Sequence, residues 1–182
     1  MRLAIVTKSL LGLICYIGLG AEADEQPILS LPLTGSHSCT QGEHGATSHN
    51  GSSTMYDLDL DTPNNTAEDP DDPLDVLAAA PGRAYGFDGC EFGTTGCNSG
   101  WGNYAKIFHG AGKYTIYAHL ESVAQEIIDL MPDGLLVPRG YVIGQEGSTG
   151  NSVNKDGSRA DHIHFGLHGG DPLGDSSGTS IP

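Results

Sequence analysis

Basic residues are scarce in this chain, 8 Lys and Arg against 23 Asp and Glu in 182 residues, for a formal net charge of −15. Without a cationic patch it has no electrostatic hold on a phosphate backbone, which excludes nucleic acid as a partner. A long apolar run is also missing. The stretch Leu10 to Leu19 is roughly half the ~20 residues that a membrane span requires. Preceded by Arg2 and Lys8 and followed by Gly20-Ala21-Glu22-Ala23, it reads as a secretory signal peptide over residues 1–23, cleaved near Ala23. Ile14, bulky and β-branched before Cys15, argues against a lipid-modified N-terminus. The mature chain is expected to be secreted or periplasmic, with no stable membrane insertion. Cysteine is sparse too: beyond the leader only Cys39, Cys90 and Cys97 remain, in an oxidising compartment. Cys90 and Cys97 enclose a short Gly/Thr-rich loop and are expected to pair, which leaves Cys39 over. No internal repeat is visible, and the length suits a single domain.

What is present is a series of short alternating segments. Residues 24–39 form a Pro-containing lead-in, and residues 40–182 carry the domain. Tyr56, Leu58 and Leu60 share one face of a strand whose other face carries Asp57 and Asp59. Residues 61–75, dense in Asp, Asn and Pro, read as a solvated acidic loop, without the regular ligand spacing of a Ca²⁺ loop. Residues 74–80 and 82–87 read as two short strands about the Pro81-Gly82 turn. Residues 103–109 and 113–120 form the clearest hairpin, about Gly110-Ala111-Gly112, and its alternation puts Tyr117 and His119 on one face. Residues 122–131 suit one short helix, and 137–144 a further strand with its lead-in turn. The pattern predicts a mainly β fold, antiparallel sheets with at most one short helix.

The segment Asp161-His162-Ile163-His164-Phe165-Gly166-Leu167-His168 has the most pointed chemistry. In an extended strand His162 and His164 project from one side, and Ile163, Phe165 and Leu167 from the other. One face is then a metal edge and the opposite face a core; a half-buried strand that happens to carry His is the plain alternative.

The ordered set Gln41-Gly42, Ser48-His49, Tyr56-Asp57-Leu58-Asp59-Leu60, Leu77-Ala78-Ala79 with Gly82, Tyr117-Ala118-His119-Leu120, Val142-Ile143-Gly144 with Gly147-Ser148-Thr149-Gly150, and His162-Ile163-His164-Phe165 resembles the M23 family of zinc metallopeptidases. The resemblance runs from about Thr40 to Leu167. It implies a groove between β-sheets, a Zn²⁺ ion held by His49, Asp59 and His164, and His119 and His162 as catalytic groups. Such a site leaves a fourth position open for water, whose pKa the metal lowers. The two other histidines then serve as general base and transition-state donors, with their division open. The implied partner is the peptide cross-link of bacterial peptidoglycan, attacked by a monomer.

Alternatives remain on the residues themselves. His44 is a second candidate for the His49 position, and Asp57 rivals Asp59. Tyr117 either donates to the oxyanion or lines the groove, and His37, His109 and His168 are expected at the surface. The acidic loop and residues 153–160 are longer than the family's usual connections and would line the groove. A non-catalytic relative that binds cell wall or activates another hydrolase, and a secreted peptidase for Gly-rich proteins, are the competing functions.

Overall fold

The computed structural model describes residues 26–61, 74–154, 156–174 and 178–182. The expected signal peptide (1–23), most of the acidic loop (62–73) and Lys155 lie outside the described residues.

The alternating segments pair as two antiparallel sheets. In chain order the strands are β1 (Ser38–Gln41), β2 (Leu58–Asp61), β3 (Asp75–Leu77), β4 (Gly82–Phe87), β5 (Asn103–Gly110), β6 (Lys113–Leu120), β7 (Ser122–Val123), β8 (Leu135–Val137), β9 (Val142–Gln145), β10 (Ile163–Gly169) and β11 (Thr179–Ser180). One helix, α1 (Gln125–Asp129), follows β7. The large sheet runs β1-β2-β10-β6-β5-β4-β8, with β11 also on β10; the small sheet runs β3-β9-β7. The fold is mainly β, as expected, and no described helix is long and apolar enough to cross a membrane.

The core lies between the sheets. From the large sheet it takes Leu60, Ala84, Ala105, Ile107, Tyr117, Ile163 and Phe165, and from the small sheet and α1 Val76, Val123, Ile143 and Ile127. Register explains the selection: Phe165 pairs with Tyr117 and Leu58, and Ile163 with Leu60, so alternate residues of neighbouring strands bury one face. His164, Gly166 and His168 take the other face. The β5–β6 hairpin turns at Ala111 and Gly112, both with positive φ (48° and 67°), the geometry that matches strand twist in a tight hairpin.

Three expectations about segments need correction. β3 and β4 do not form a hairpin about Pro81-Gly82; the chain passes there from the small sheet to the large one. Small residues permit the crossing, since Ala78, Ala79 and Ala80 are buried and a Cβ on Gly82 would strike the Phe108 carbonyl and Ile107. Residues 122–131 are not one helix, because Ser122 and Val123 pair with β9 first and Pro132 follows soon after. Residues 137–144 divide at Pro138 between β8 in the large sheet and β9 in the small one. The expected Cys90–Cys97 disulfide is present, with Cα atoms 5.9 Å apart, and Cys39 is exposed and unbridged.

Candidate metal centre

β2 and β10 are neighbours with Asp59 opposite His164, and the loop before β2 brings His49 over the same spot. The ring Nδ1 of His49 lies 3.0 Å from the Gly42 carbonyl. A carbonyl only accepts, so Nδ1 carries the proton and Nε2 presents a lone pair. His164 is fixed in the opposite tautomer: its Nε2 donates to Asp57 Oδ2 at 2.8 Å, which leaves a lone pair on Nδ1. These two lone-pair nitrogens are 3.3 Å apart. Asp59 Oδ1 lies 3.2 Å from His49 Nε2 and 2.9 Å from His164 Nδ1, while Gln41 Nε2 holds Oδ2 at 3.1 Å.

Three acceptor atoms facing one point repel unless a positive charge joins them. A tetrahedral zinc site with bonds of about 2.0–2.1 Å has ligand–ligand edges of roughly 3.3 Å, close to these separations. The donor set of two imidazoles and one carboxylate therefore fits Zn²⁺, and among the described residues no other group of His, Cys, Asp or Glu converges in this way. Without a metal, a proton on His164 Nδ1 supplies that charge by bonding to Asp59. Burial opposes a charge on His164, but its hydrogen bonds to Asp57 and Asp59 outweigh that and push its pKa up to about 9. Burial likewise raises Asp59, yet the hydrogen bond from His164 and the charges of His162, His164 and His49 bring it below the usual range.

His119 and His162 flank this point. Their ring centroids are 4.9 Å apart, and His119 is 6.0 Å from His164. His119 Nδ1 donates to the Thr149 carbonyl at 2.9 Å, so Nε2 keeps its lone pair. Burial first, then the charges of His162 and His164, press its pKa down to about 3, so the ring is neutral near pH 7. His162 Nδ1 donates to the Ala160 carbonyl at 2.7 Å, and its Nε2 sits 3.8 Å from Asp59 Oδ1. All of this opens on a groove of about 460 Å³ whose walls include Thr40, Ser48, Trp101, Asn151 and Val153. Residues 153 and 160 line it, as expected of that loop.

The sequence pattern of peptidase family M23 matches residues 58–175. The chain belongs to peptidase family M23. Among solved structures, the catalytic domain of the prophage-encoded M23 protein EnpA from Enterococcus faecalis is similar at 19% identity, over 83% of this chain and 92% of that one, with a TM-score of 0.52. A protein described as a glycyl-glycine endopeptidase from Ruminococcus gnavus is 18% identical over 81% of this chain, with a TM-score of 0.55, and the chain spans 55% of its length. The SpoIIQ–SpoIIIAH pore-forming complex matches at 18% identity over 86% of this chain and 89% of that one, TM-score 0.51. Identities this low show a shared fold alone, and a fold hosts more than one function. The chain spans 47% of an M23 protein from Pseudomonas aeruginosa. No match was found among curated proteins.

Within this M23 domain three expectations about individual side chains fail. Tyr117 and His119 do not share a face. Asn103 pairs with Leu120 and Ala105 with Tyr117, so β6 holds one extra residue there, a bulge that shifts the alternation. His119 takes it up with φ 62°, held by its N–H on the Trp101 carbonyl at 2.9 Å, and turns into the groove. Tyr117 stays in the core, its hydroxyl accepting from Ala79 N–H at 2.9 Å and Thr115 Oγ1 at 3.0 Å, and is neither groove wall nor oxyanion donor. His168 is not at the surface either: it is 0% exposed and bonded to Asp57. His44 is exposed, and His109 is half-buried between the Pro81 carbonyl and Thr115.

Asp57 and Asp59 do share a side, as the alternation requires, and they grip opposite edges of the His164 ring. Asp57 is 0% exposed; burial raises its pKa, but hydrogen bonds from His164 and His168 outweigh that and hold it at about 2. Sequence reasoning missed Trp101, whose indole stands edge-on to His164 at 5.0 Å, because it sits alone in a Gly-rich stretch without periodicity. His168 had a signal, since it continues the two-residue spacing of His162 and His164.

Proposed function

We propose that the chain is an exported zinc metalloendopeptidase that hydrolyses peptide cross-links of bacterial peptidoglycan. His49, Asp59 and His164 are the metal ligands, and His119 and His162 the catalytic groups. One observation carries the reading: three lone-pair atoms converge within 3.3 Å beside two further histidines in an open groove. Asp59 is favoured over Asp57 as ligand because its Oδ1 faces both lone-pair nitrogens, whereas Asp57 accepts the proton on the far side of His164.

Zinc held there supplies Lewis acidity toward a peptide carbonyl and lowers the pKa of water to roughly 7. The residues around it manage protons and charge. His119, kept neutral and oriented by the Thr149 and Trp101 carbonyls, is suited to accept the proton of the attacking water at Nε2. His162 faces the same space from the other wall, held by Ala160 and by Ser152 Oγ at 3.1 Å. Protonated at Nε2, it would donate to the carbonyl oxygen as negative charge builds.

Zinc content of the purified mature chain, combined with mass spectrometry of fragments released from peptidoglycans of known cross-bridge composition, tests this. About one zinc per chain and new termini within the cross-links are expected. A zinc-loaded chain that releases nothing would favour a binding or activating role; cleavage of elastin or glycine peptides alone would favour a protein substrate.

A further inference from the structure

Behind His164, on the side away from the groove, lies a second polar cluster that the proposed chemistry does not use. Asp57 is fully buried and accepts three hydrogen bonds. They come from His164 Nε2 at 2.8 Å, from His168 Nε2 at 3.0 and 3.1 Å to its two oxygens, and from Ser180 Oγ at 2.8 Å. Ser180 lies on β11, paired with His168 across the sheet, and its Oγ accepts from Tyr56 N–H at 2.9 Å. The backbone of β11 also reaches the loop that carries His49, through Ser180 N–H to the Ser52 carbonyl at 3.0 Å.

The cluster is fitted closely. Gly166, between the two histidines on the same strand face, has no Cβ, and one built there would fall on the Asp57 carboxylate. The Trp101 indole stands edge-on to both rings, at 5.0 Å from His164 and 6.4 Å from His168, and Tyr114 packs on His168 at 5.6 Å. A carboxylate out of reach of water must find its donors inside the protein. His168 spans both oxygens and Ser180 holds Oδ1, so together they fix the carboxylate plane with Oδ2 in line with His164 Nε2, the bond that sets the tautomer and tilt of that ring.

We infer that His168 and Ser180 are positioning residues of the metal centre, acting on His164 through Asp57, so that β11 is part of the site. The inference rests on the reading of His164 as a ligand. It extends the site by two residues that touch neither substrate nor metal.

Zinc affinity of the full chain, measured by competition with a chromophoric chelator, tests it without reference to turnover. His168→Leu keeps the volume and removes the donor; it should weaken zinc binding by up to about tenfold, the lower end of the scale for direct partners of ligand histidines, because it acts one bond further out. His168→Gln returns an N–H to the Nε2 position and should recover most of that loss. Ser180→Ala should cost several-fold. In an Asp57→Asn background His168→Leu should add little, because the effect passes through Asp57. Zinc binding by His168→Leu equal to that of the parent chain, or an undiminished loss in the Asp57→Asn background, would overturn the inference. Should circular dichroism show His168→Leu unfolded, Ser180→Ala decides: several-fold weakening supports the inference and an unchanged affinity overturns it. A parent chain that binds no zinc would instead refute the metal centre itself.

Discussion

Replacing Asp59 and Asp57 separately by Asn asks which carboxylate is the ligand. Asp59 Oδ1 sits 3.2 and 2.9 Å from the two lone-pair nitrogens, so under the proposed assignment its loss removes one of three protein ligands and the only anion among them. Zinc sites with four protein ligands bind with about 10–16 kcal/mol, or roughly 2.5–4 kcal/mol per ligand. At about 1.4 kcal/mol per decade, Asp59→Asn should weaken zinc binding some 10²- to 10³-fold. Asp57 touches the ring edge of His164 remote from the metal, at 2.8 Å. Loss of such a support costs about ten- to a hundredfold, so Asp57→Asn should retain the tighter zinc binding of the two. Both affinities would come from chelator competition on protein stripped of metal and reloaded. Tighter binding by Asp59→Asn than by Asp57→Asn would refute the assignment and mean that the metal lies on the other side of His164.

The two histidines proposed as catalytic groups should behave differently from the proposed ligands. His119→Ala and His162→Ala are expected to keep zinc and to lose about a hundredfold or more in turnover on peptidoglycan; metal analysis showing loss of zinc in both would move them into the coordination sphere. The metal-free protein should depend on pH in a defined way. The folded pKa of His164, about 9, lies above its ordinary 6.5, so its stabilisation is complete below about pH 6.5 and is lost as pH rises through 9. Asp57, at about 2 against an ordinary 3.8, stabilises above pH 3.8 and ceases to as pH falls through 2. Melting temperatures of chelator-treated protein should therefore decline from pH 6.5 to 9, and added zinc should flatten that decline; a rise over the same range would count against the His164 environment described. Finally, His119 at φ 62° occupies backbone space that glycine enters freely. His119→Gly should be about 1 kcal/mol more stable in denaturant than His119→Ala, with both inactive, and equal stabilities would mean that the bulge relaxes once the imidazole is gone.

What the sequence made legible was periodicity of two. It put Ile163, Phe165 and Leu167 in the core, His164 on the polar face, and both aspartates on one side of their strand, because those assignments depend only on local alternation. Where alternation was interrupted, the reading went astray. The bulge at His119 is held by the Trp101 and Thr149 carbonyls, from segments 18 and 30 residues away, and nothing in Tyr117-Ala118-His119-Leu120 announces them. Without the bulge His119 would point into the core beside Tyr117. The placement of His119 in the groove thus depends on contacts that only the folded chain brings together. The same holds for β3 and β9 against β4 and β8, short apolar runs of like pattern that only cross-strand pairing assigns to different sheets.

The choice between the two aspartates shows how far residue identity can be carried once neighbours are known. On alternation alone Asp57 and Asp59 are equivalent, and a glycine between His164 and His168 is only a weak spot in a strand. The fold joins the two observations: Gly166 is the space into which Asp57 fits, and that placement directs its carboxylate at the outer edges of His164 and His168 and away from the groove. Asp59, opposite His164 in register, is left facing the inner edge together with His49. A glycine at 166 and a histidine at 168 are therefore linked to aspartate at 57, since a side chain at 166 would evict it and an apolar residue at 168 would remove the donor that spans both its oxygens.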